Sequence, residues 1–530
     1  MLKSKLLART TALALILFFS DFGVAETALW RDLPQKQVAP EVLTLQQRQL
    51  TAEARYLRID RDGLTARINA GLASGGRAFL LELPVPDGGF RAFEFQRAGT
   101  MSPALARKFP HIQAFSGRSI GKGAATAQME LTPAGLSVQV LDANGRWMIE
   151  PPDQSDNAKV MSYFARDARR RDQTFQCGVK DHSARDHGGS SEKSARTKLA
   201  ARSSPTHQSR SRGEELRTYR LAVATTGEYG DYHGGTVEGA LAAVVKVVNR
   251  VNGIFTAEIS VAFELVENND AIIFTDPETD PFEGNDDTFV LIDESQAVID
   301  EIIESENYDI GHTFGTAGGG LAGTGPCNDE YKANGVTGGY EGDAFAVDYV
   351  AHEMGHQFSM DHTFNSSASN CVEQRSGSAA FEPGSGTTIM SYSGICSPDN
   401  IPQPGLVGKP NSADPMFHSY SFEEAADYVE GYGSTCGVVS ATGNTKPTVY
   451  AGVNHTVPAS TPLVIEGSGS DADGDNVKFS WEQRDLGPAA ALAAPDDGAI
   501  PLFRTLAPVD TATRYLPQLS TVVAGAFDDA

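Results

Sequence analysis

Two segments of the early chain, Arg77-Ala78-Phe79-Leu80-Leu81-Glu82-Leu83 and Gly135-Leu136-Ser137-Val138-Gln139-Val140-Leu141, place apolar residues at alternate positions. That is the period of a strand with one face buried, so residues 26–165 are expected to form an all-β domain. Between 214 and 437 the period changes repeatedly. Leu216 to Thr225 reads as a strand and Val237 to Val251 as a helix with an apolar face. Glu258 to Val266 reads as a second strand, with Ile259, Val261, Phe263 and Leu265 alternating. A helix over Val290 to Ser305 and a strand over Tyr308 to Phe314 complete an α/β unit. Alternation returns in 445–530, at Leu463-Val464-Ile465-Glu466 and Phe479-Ser480-Trp481-Glu482, which predicts a β-sandwich. No closing strand is evident before Ala530, so that module is expected to be incomplete.

Between 166 and 213 the apolar content drops. Arg169-Arg170-Arg171 leads into a Ser-, Arg- and Gly-rich tract that reads as an exposed linker. Arg210-Ser211-Arg212 is a natural site for proteolytic release, the alternative being an uncut spacer. At the start, Lys3, Lys5 and Arg9 precede an apolar run from Ala12 to Phe19 and small residues at Gly23-Val24-Ala25. Residues 1–25 therefore read as a signal peptide of an exported protein. No other stretch reads as a membrane span, and no membrane anchor is expected.

The chemistry concentrates in one stretch. Val347, Val350, Ala351, Met354 and Phe358 lie on one face of a helix that starts near Ala344, with Asp343 as the expected cap. On that helix His352 and His356 are four residues apart and project together, so both can bind one ion. Glu353 lies beside them as a base for an activated water. His362 follows six residues later and supplies a third nitrogen. Three protein ligands leave a position open, as in a catalytic zinc site; three neutral imidazoles favour Zn2+ over other metals. His312 is expected to be a packed strand residue.

Composition narrows the partners. At 530 residues with a formal net charge of −25, the chain suits several domains and offers no nucleic-acid surface. The acidic turns at Asn268-Asn269-Asp270, Asp276-Pro277 and Asp280-Pro281 could take Ca2+ but serve equally as solvated turns. The turn Asp471-Ala472-Asp473-Gly474-Asp475 lacks the order of a calcium loop. Of five cysteines, Cys327, Cys371, Cys396 and Cys436 fall in the α/β unit. Four cysteines allow three pairings, and the pairing expected here is Cys371–Cys396 with Cys327–Cys436. Cys177 is left over in the linker.

The run from His352 to Asn365 resembles the zinc signature of metzincin metallopeptidases, most closely the bacterial reprolysin-like branch. In that family a Gly stands three residues after the second His, where this chain has Ser359; a non-Gly residue at positive φ costs about 1 kcal/mol. Thr388-Ile389-Met390-Ser391-Tyr392 is similar to the metzincin Met-turn. The resemblance implies that Met390 forms a packed floor beneath the ligands. Tyr392 matches a tyrosine that touches zinc or the oxyanion in astacins and serralysins, the alternative being an ordinary packing aromatic.

Phe109-Pro110-His111-Ile112, Ser116-Gly117 and Gly145 to Glu150 resemble prodomain segments, which implies inhibition. Phe175-Gln176-Cys177-Gly178-Val179 resembles a cysteine switch, with an intermolecular or unpaired cysteine as the competing reading. The glycines at 318–320, 323 and 325 around Leu321-Ala322 correspond to an edge strand that pairs with extended substrate, or to a simple loop. The tail resembles Ig-like polycystic-kidney-disease-type modules, which implies a spacer or binding to a matrix or cell-surface polymer. The expectation is a secreted zinc endopeptidase made as a zymogen and acting on protein or peptide substrate. A matrix-binding protein with a degenerate metal site, or a zinc hydrolase of non-peptide bonds, stand as alternatives.

Overall fold

The structure, a computed structural model, describes residues 29–34, 54–73, 77–121, 125–142, 145–152, 156–168, 177–179, 211–340, 342–402, 412–458 and 460–525. The signal segment and almost all of the 166–213 linker, including Arg210, lie outside them.

Nine strands make one antiparallel sheet: β1 (Trp30–Asp32), β2 (Arg55–Ile59), β3 (Ala78–Pro84), β4 (Phe90–Arg97), β5 (Gln113–Ser119), β6 (Thr126–Thr132), β7 (Gly135–Leu141), β8 (Trp147–Glu150) and β9 (Lys159–Phe164). Their spatial order is β1-β2-β9-β8-β7-β6-β5-β4-β3. Phe79, Leu81 and Leu83 of β3 are buried while Leu80 is 40% exposed, so the alternation in the sequence sets the face. The domain is β-rich, as expected, but not all-β. A helix at Arg61–Ala73 buries Leu64 and Ile68 against this sheet. In β6 and β7 the polar positions are buried too, Gln128, Glu130, Ser137 and Gln139 among them. Their face is covered by the next domain.

That next domain holds a mixed sheet of β10 (Glu215–Thr225), β11 (Val261–Leu265), β12 (Ile310–Gly315), β13 (Gly319–Ala322), β14 (Gly335–Gly338) and β15 (Val438–Ala441). The order is β11-β10-β12-β14-β13, with β15 beside β10 and β13 at the edge. β10, β11, β12 and β14 run parallel, and β13 pairs antiparallel with β14. Helices span Val237–Ile259 and Thr288–Ile303. The first is longer than the apolar periodicity predicts. Its last turn takes Glu258 and Ile259 out of the expected second strand and ends at Ser260, in the left-handed conformation. By length and composition this helix could cross a membrane, contrary to the sequence expectation, but 72% of its apolar window is buried in protein.

The helix lies between the two sheets, and its polar residues join them. Glu150 of β8 accepts from Arg250 Nη2 at 2.7 Å and Tyr163 Oη at 2.7 Å, with Lys246 Nζ at 3.0 Å. Burial pulls the Glu150 carboxyl upward, but Lys246 and Arg250 outweigh it and hold it well below the usual carboxylate range. Glu130 accepts from Asn249 Nδ2 at 2.6 Å, and burial pushes its carboxyl to about 7 against the pull of Arg250. The loop at Thr100–Ser102 also bonds the end of β11, through Leu265 N to Thr100 O and Ser102 N to Leu265 O.

Among the described C-terminal residues no two sheets are seen to cover each other as the expected sandwich requires. Described there are two two-stranded sheets, Thr448–Tyr450 with Ser468–Ser470 and Leu463–Glu466 with Thr513–Leu516. Val449 and Tyr450 stay more than half exposed, and no hydrophobic cluster among the described residues belongs to this segment. Instead residues 482–505 lie on the α/β domain: Arg484 pairs with Glu423 at 2.8 Å and Arg504 Nη1 donates to Pro402 O at 2.6 Å. Disulfides join Cys327 to Cys436 and Cys371 to Cys396.

The Glu130 environment predicts a pH dependence. Its folded pKa of about 7 lies above the unfolded carboxylate value of about 4.3, so its contribution to stability is present at low pH and is lost as pH rises to about 7. Thermal unfolding of Glu130→Gln should match the wild type near pH 4.5 and exceed it near pH 8. A variant that tracks the wild type across that window removes Glu130 as the source.

Candidate metal centre

The central helix is buried throughout its working length. It begins as a π-helical stretch at Phe345–Val350 and continues as α-helix over Ala351–Gln357. Asp343 is not its cap: it is already helical, and its carboxylate pairs with Arg146 at 2.7 Å and accepts from Gln139 at 2.7 Å. The π turn is buried on all six residues, and within it Asp348 accepts from the Ala413 amide at 2.8 Å. At the far end Gln357 bonds Gly311 O and His312 Nδ1, locking the helix to β12. His312, held neutral by burial that lowers it to about 4, therefore serves the fold.

His352 and His356 face the same side, with Nε2 atoms 3.1 Å apart. The Nε2 of His362 lies 3.2 Å from the first and 3.0 Å from the second. To bring it there the chain turns back at Ser359, whose φ is 71°. The strained non-glycine turn that the sequence raises is thus adopted, at a cost on the order of 1 kcal/mol. Each ring's Nδ1 lies 2.7 Å from a backbone carbonyl: Ile389 for His352, Met360 for His356 and Gln374 for His362. Those carbonyls fix the proton on Nδ1 and leave three Nε2 lone pairs aimed at one point. The three residues are at most 3% exposed, and burial lowers His352 to about 4, so it is neutral. Three lone pairs this close repel one another unless a cation sits between them. The donor set fits zinc.

The Cys177 sulfur belongs to the same group, with all four ligand atoms within 4.8 Å of one another. Among the described residues, this is the cluster of His, Cys, Asp and Glu able to share an ion. The acidic turns bond protein donors: Asp276 accepts from Glu278 N and Thr279 Oγ1, Asp280 from Phe282 N and from Gly227 N.

Glu353 is fully buried, and neither oxygen has a nitrogen or oxygen partner among the described residues. Burial pushes its carboxyl to about 8, and the Cys177 thiol beside it lowers it. Gly320 of the edge strand passes directly over that carboxylate; a Cβ there would collide with Glu353 Oε1. The glycine-rich edge is therefore a steric requirement of the acid beneath it. Along this edge Cys177 pairs in parallel with Gly320, and Gly178 N donates to Gly320 O at 2.7 Å.

Met390 does not ligate. It is buried with its sulfur packed against Gly355, between the two helical histidines. Tyr392 meets His362 edge to face, centroids 4.8 Å apart, and its hydroxyl donates to Cys177 O at 3.3 Å. Two residues that the sequence reading passes over complete the site. Buried Glu382 accepts from Thr363 Oγ1 at 2.6 Å, from Thr387 N at 2.8 Å and from the Thr388 hydroxyl, tying the strand after His362 to the Met390 turn. Gln374 offers a backbone carbonyl to His362 and a carboxamide to the segment at Cys177. Neither carries a spacing that a sequence pattern would flag.

Residues 215–407 match the family model described as Metallo-peptidase family M12B Reprolysin-like. Among solved structures the chain is similar to metalloproteinase-II from Bacteroides fragilis, at 10% identity over 58% of this chain and 88% of that one. The TM-score is 0.32, too low for the fold comparison to carry weight. No curated protein matches the chain. The family match and the three converging imidazoles together make the protein a zinc metalloendopeptidase, a hydrolase with a metzincin-like catalytic region.

Proposed function

We propose that the protein is a secreted endopeptidase made as a zymogen, in which Cys177 blocks the metal position and Glu353 is the general base. The observation that carries this reading is the meeting of the Cys177 sulfur with the three histidine nitrogens next to an unpartnered buried carboxylate. His352, His356 and His362 would hold the zinc, which when bound supplies Lewis acidity to the scissile carbonyl. Glu353 then takes a proton from the attacking water as its oxygen bonds to the carbonyl carbon. It returns that proton to the amine nitrogen as the C–N bond breaks. Tyr392, whose hydroxyl meets the Cys177 carbonyl in this state, would donate to the oxygen that gains negative charge.

The signal segment supports export, and the contacts of β5, β6 and β8 with the Val237–Ile259 helix support a prodomain docked on that helix. Ser359 adopts the turn that brings His362 to the other two rings, which favours the peptidase reading over the matrix-binding one. A peptide-library digest by the released enzyme, with and without chelator, tests the reading; cleavage that persists at full rate after metal removal overturns it.

Two variants follow. Glu353→Gln should retain one zinc per chain by metal analysis while losing roughly 10²–10⁴-fold in kcat. Full turnover in a clean preparation would refute the base assignment. Cys177→Ser should cut peptides before any linker cleavage, and a precursor as latent as the wild type removes the switch.

A further inference from the structure

We propose that Gln374 is a backbone clamp for peptides lying in the cleft, gripping the pro-segment first and the substrate after its release. The second half of this proposal rests on the peptidase reading above. The described pro-segment, Cys177–Val179, meets the protein along two opposite edges. On one edge Gly178 N donates to Gly320 O of β13. On the other, Gln374 oriented with its amide nitrogen inward donates to Val179 O at 2.6 Å and Cys177 O at 3.3 Å. The reverse orientation would set its oxygen against two carbonyl oxygens, so the inward nitrogen is the orientation the surroundings select.

This arrangement matches the period of an extended chain. Carbonyls two residues apart point to the same side, and the residue between them points to the other. Gln374 thus reads the carbonyls of residues one and three of a tripeptide while the sheet edge reads residue two. The recognition ignores side chains. It excludes proline at the position that faces Gly320 O, because that position must donate an N–H.

The clamp is built to hold still. The Gln374 backbone carbonyl fixes His362, Cys371 is joined to Cys396 three residues before it, and Glu373 is in the left-handed conformation at φ 63°. On its other flank Arg375 donates to Asn365 Oδ1 at 2.9 Å and to Gly487 O at 2.7 Å. The side chain that meets the peptide and the carbonyl that orients the third ligand therefore belong to one braced residue.

The test uses the zinc-loaded full-length precursor and its linker-cleaved product, with Gln374→Ala and Gln374→Glu. In the precursor, the rate at which a thiol reagent labels Cys177 reports how firmly the pro-segment is held, whatever the enzyme cuts. Loss of both hydrogen bonds should raise that rate about tenfold in Gln374→Ala. It should rise further in Gln374→Glu, where oxygen faces oxygen. Zinc content should be unchanged in both, since the contact to His362 is through the backbone. In the cleaved enzyme KM for a peptide should rise with kcat little altered. Unchanged labelling in both variants overturns the clamp, and so does zinc loss in step with faster labelling, which would mark a structural role. Faster labelling in a protein whose wild type cleaves no peptide would uphold the clamp and refute the peptidase reading instead.

Discussion

Three imidazole nitrogens share one small buried volume, and none of them can turn away, because each ring's other nitrogen is tied to a backbone carbonyl. This constraint organises the rest of the catalytic domain. The three carbonyls come from the helix-exit turn at Met360, the loop at Gln374 and the Met-turn at Ile389, so these segments must all be in place for the lone pairs to converge. Glu382 binds two of them together through threonine hydroxyls and amides, and the Cys371–Cys396 bridge closes the third. Electrostatic frustration at the centre is tolerable only with a cation, so metal binding and the ordering of these loops are one equilibrium.

The β-rich domain and the Cys177 segment that follows it meet the catalytic domain through different chemistry. At the Val237–Ile259 helix the β-rich domain buries complete charge pairs, with Glu150 satisfied by Lys246, Arg250 and Tyr163. At the cleft the linker supplies Cys177, whose sulfur joins the three histidines. Breaking the first contact would leave Arg250 facing an open helix surface that water can solvate, so separation is less costly than mutating one partner in place. Cutting the connecting chain does not by itself remove either contact. Several buried pairs hold the β-rich domain at the helix, while the segment at Cys177 is held by a few bonds.

The parts of this architecture visible in the sequence are those written in one period or one motif. His352, His356 and Glu353 sit on a helix whose apolar face is periodic, and β3 shows its buried side by alternation. The length of the Val237–Ile259 helix was hidden because Phe255, Ile259, Val261 and Phe263 fit both a helix end and a strand, and the left-handed Ser260 that divides them is not a residue type that announces a cap. Polar positions on β6 and β7 read as solvent-facing, since alternation cannot distinguish water from a second domain. Asp343 looked like a cap for the same reason: its partner Arg146 is nearly two hundred residues away in sequence. Glu382 and Gln374 act through single long-range bonds, and no local pattern encodes those.

The C-terminal residues show how a correct local reading can mislead about organisation. Alternation at Leu463–Glu466 does mark a strand, yet a sandwich needs two such faces to cover each other, and here Val449, Tyr450 and Val464 remain largely exposed. What this segment buries, it buries elsewhere. Arg504 is only 7% exposed and reaches Pro402 O, Thr505 receives the Thr387 hydroxyl, Asn365 donates to Pro488 O and Arg375 to Gly487 O. Thr387 precedes the Met-turn, and Asn365 and Arg375 flank the loop that holds His362. The bonds therefore converge on the two loops that orient the ligands. Since ligand geometry tolerates displacements of only a fraction of an ångström, a brace on these loops acts on the metal without touching it. Residues 482–505 are on this argument part of the catalytic unit, although the linker-like Thr442-Gly443-Asn444 before them suggests a boundary.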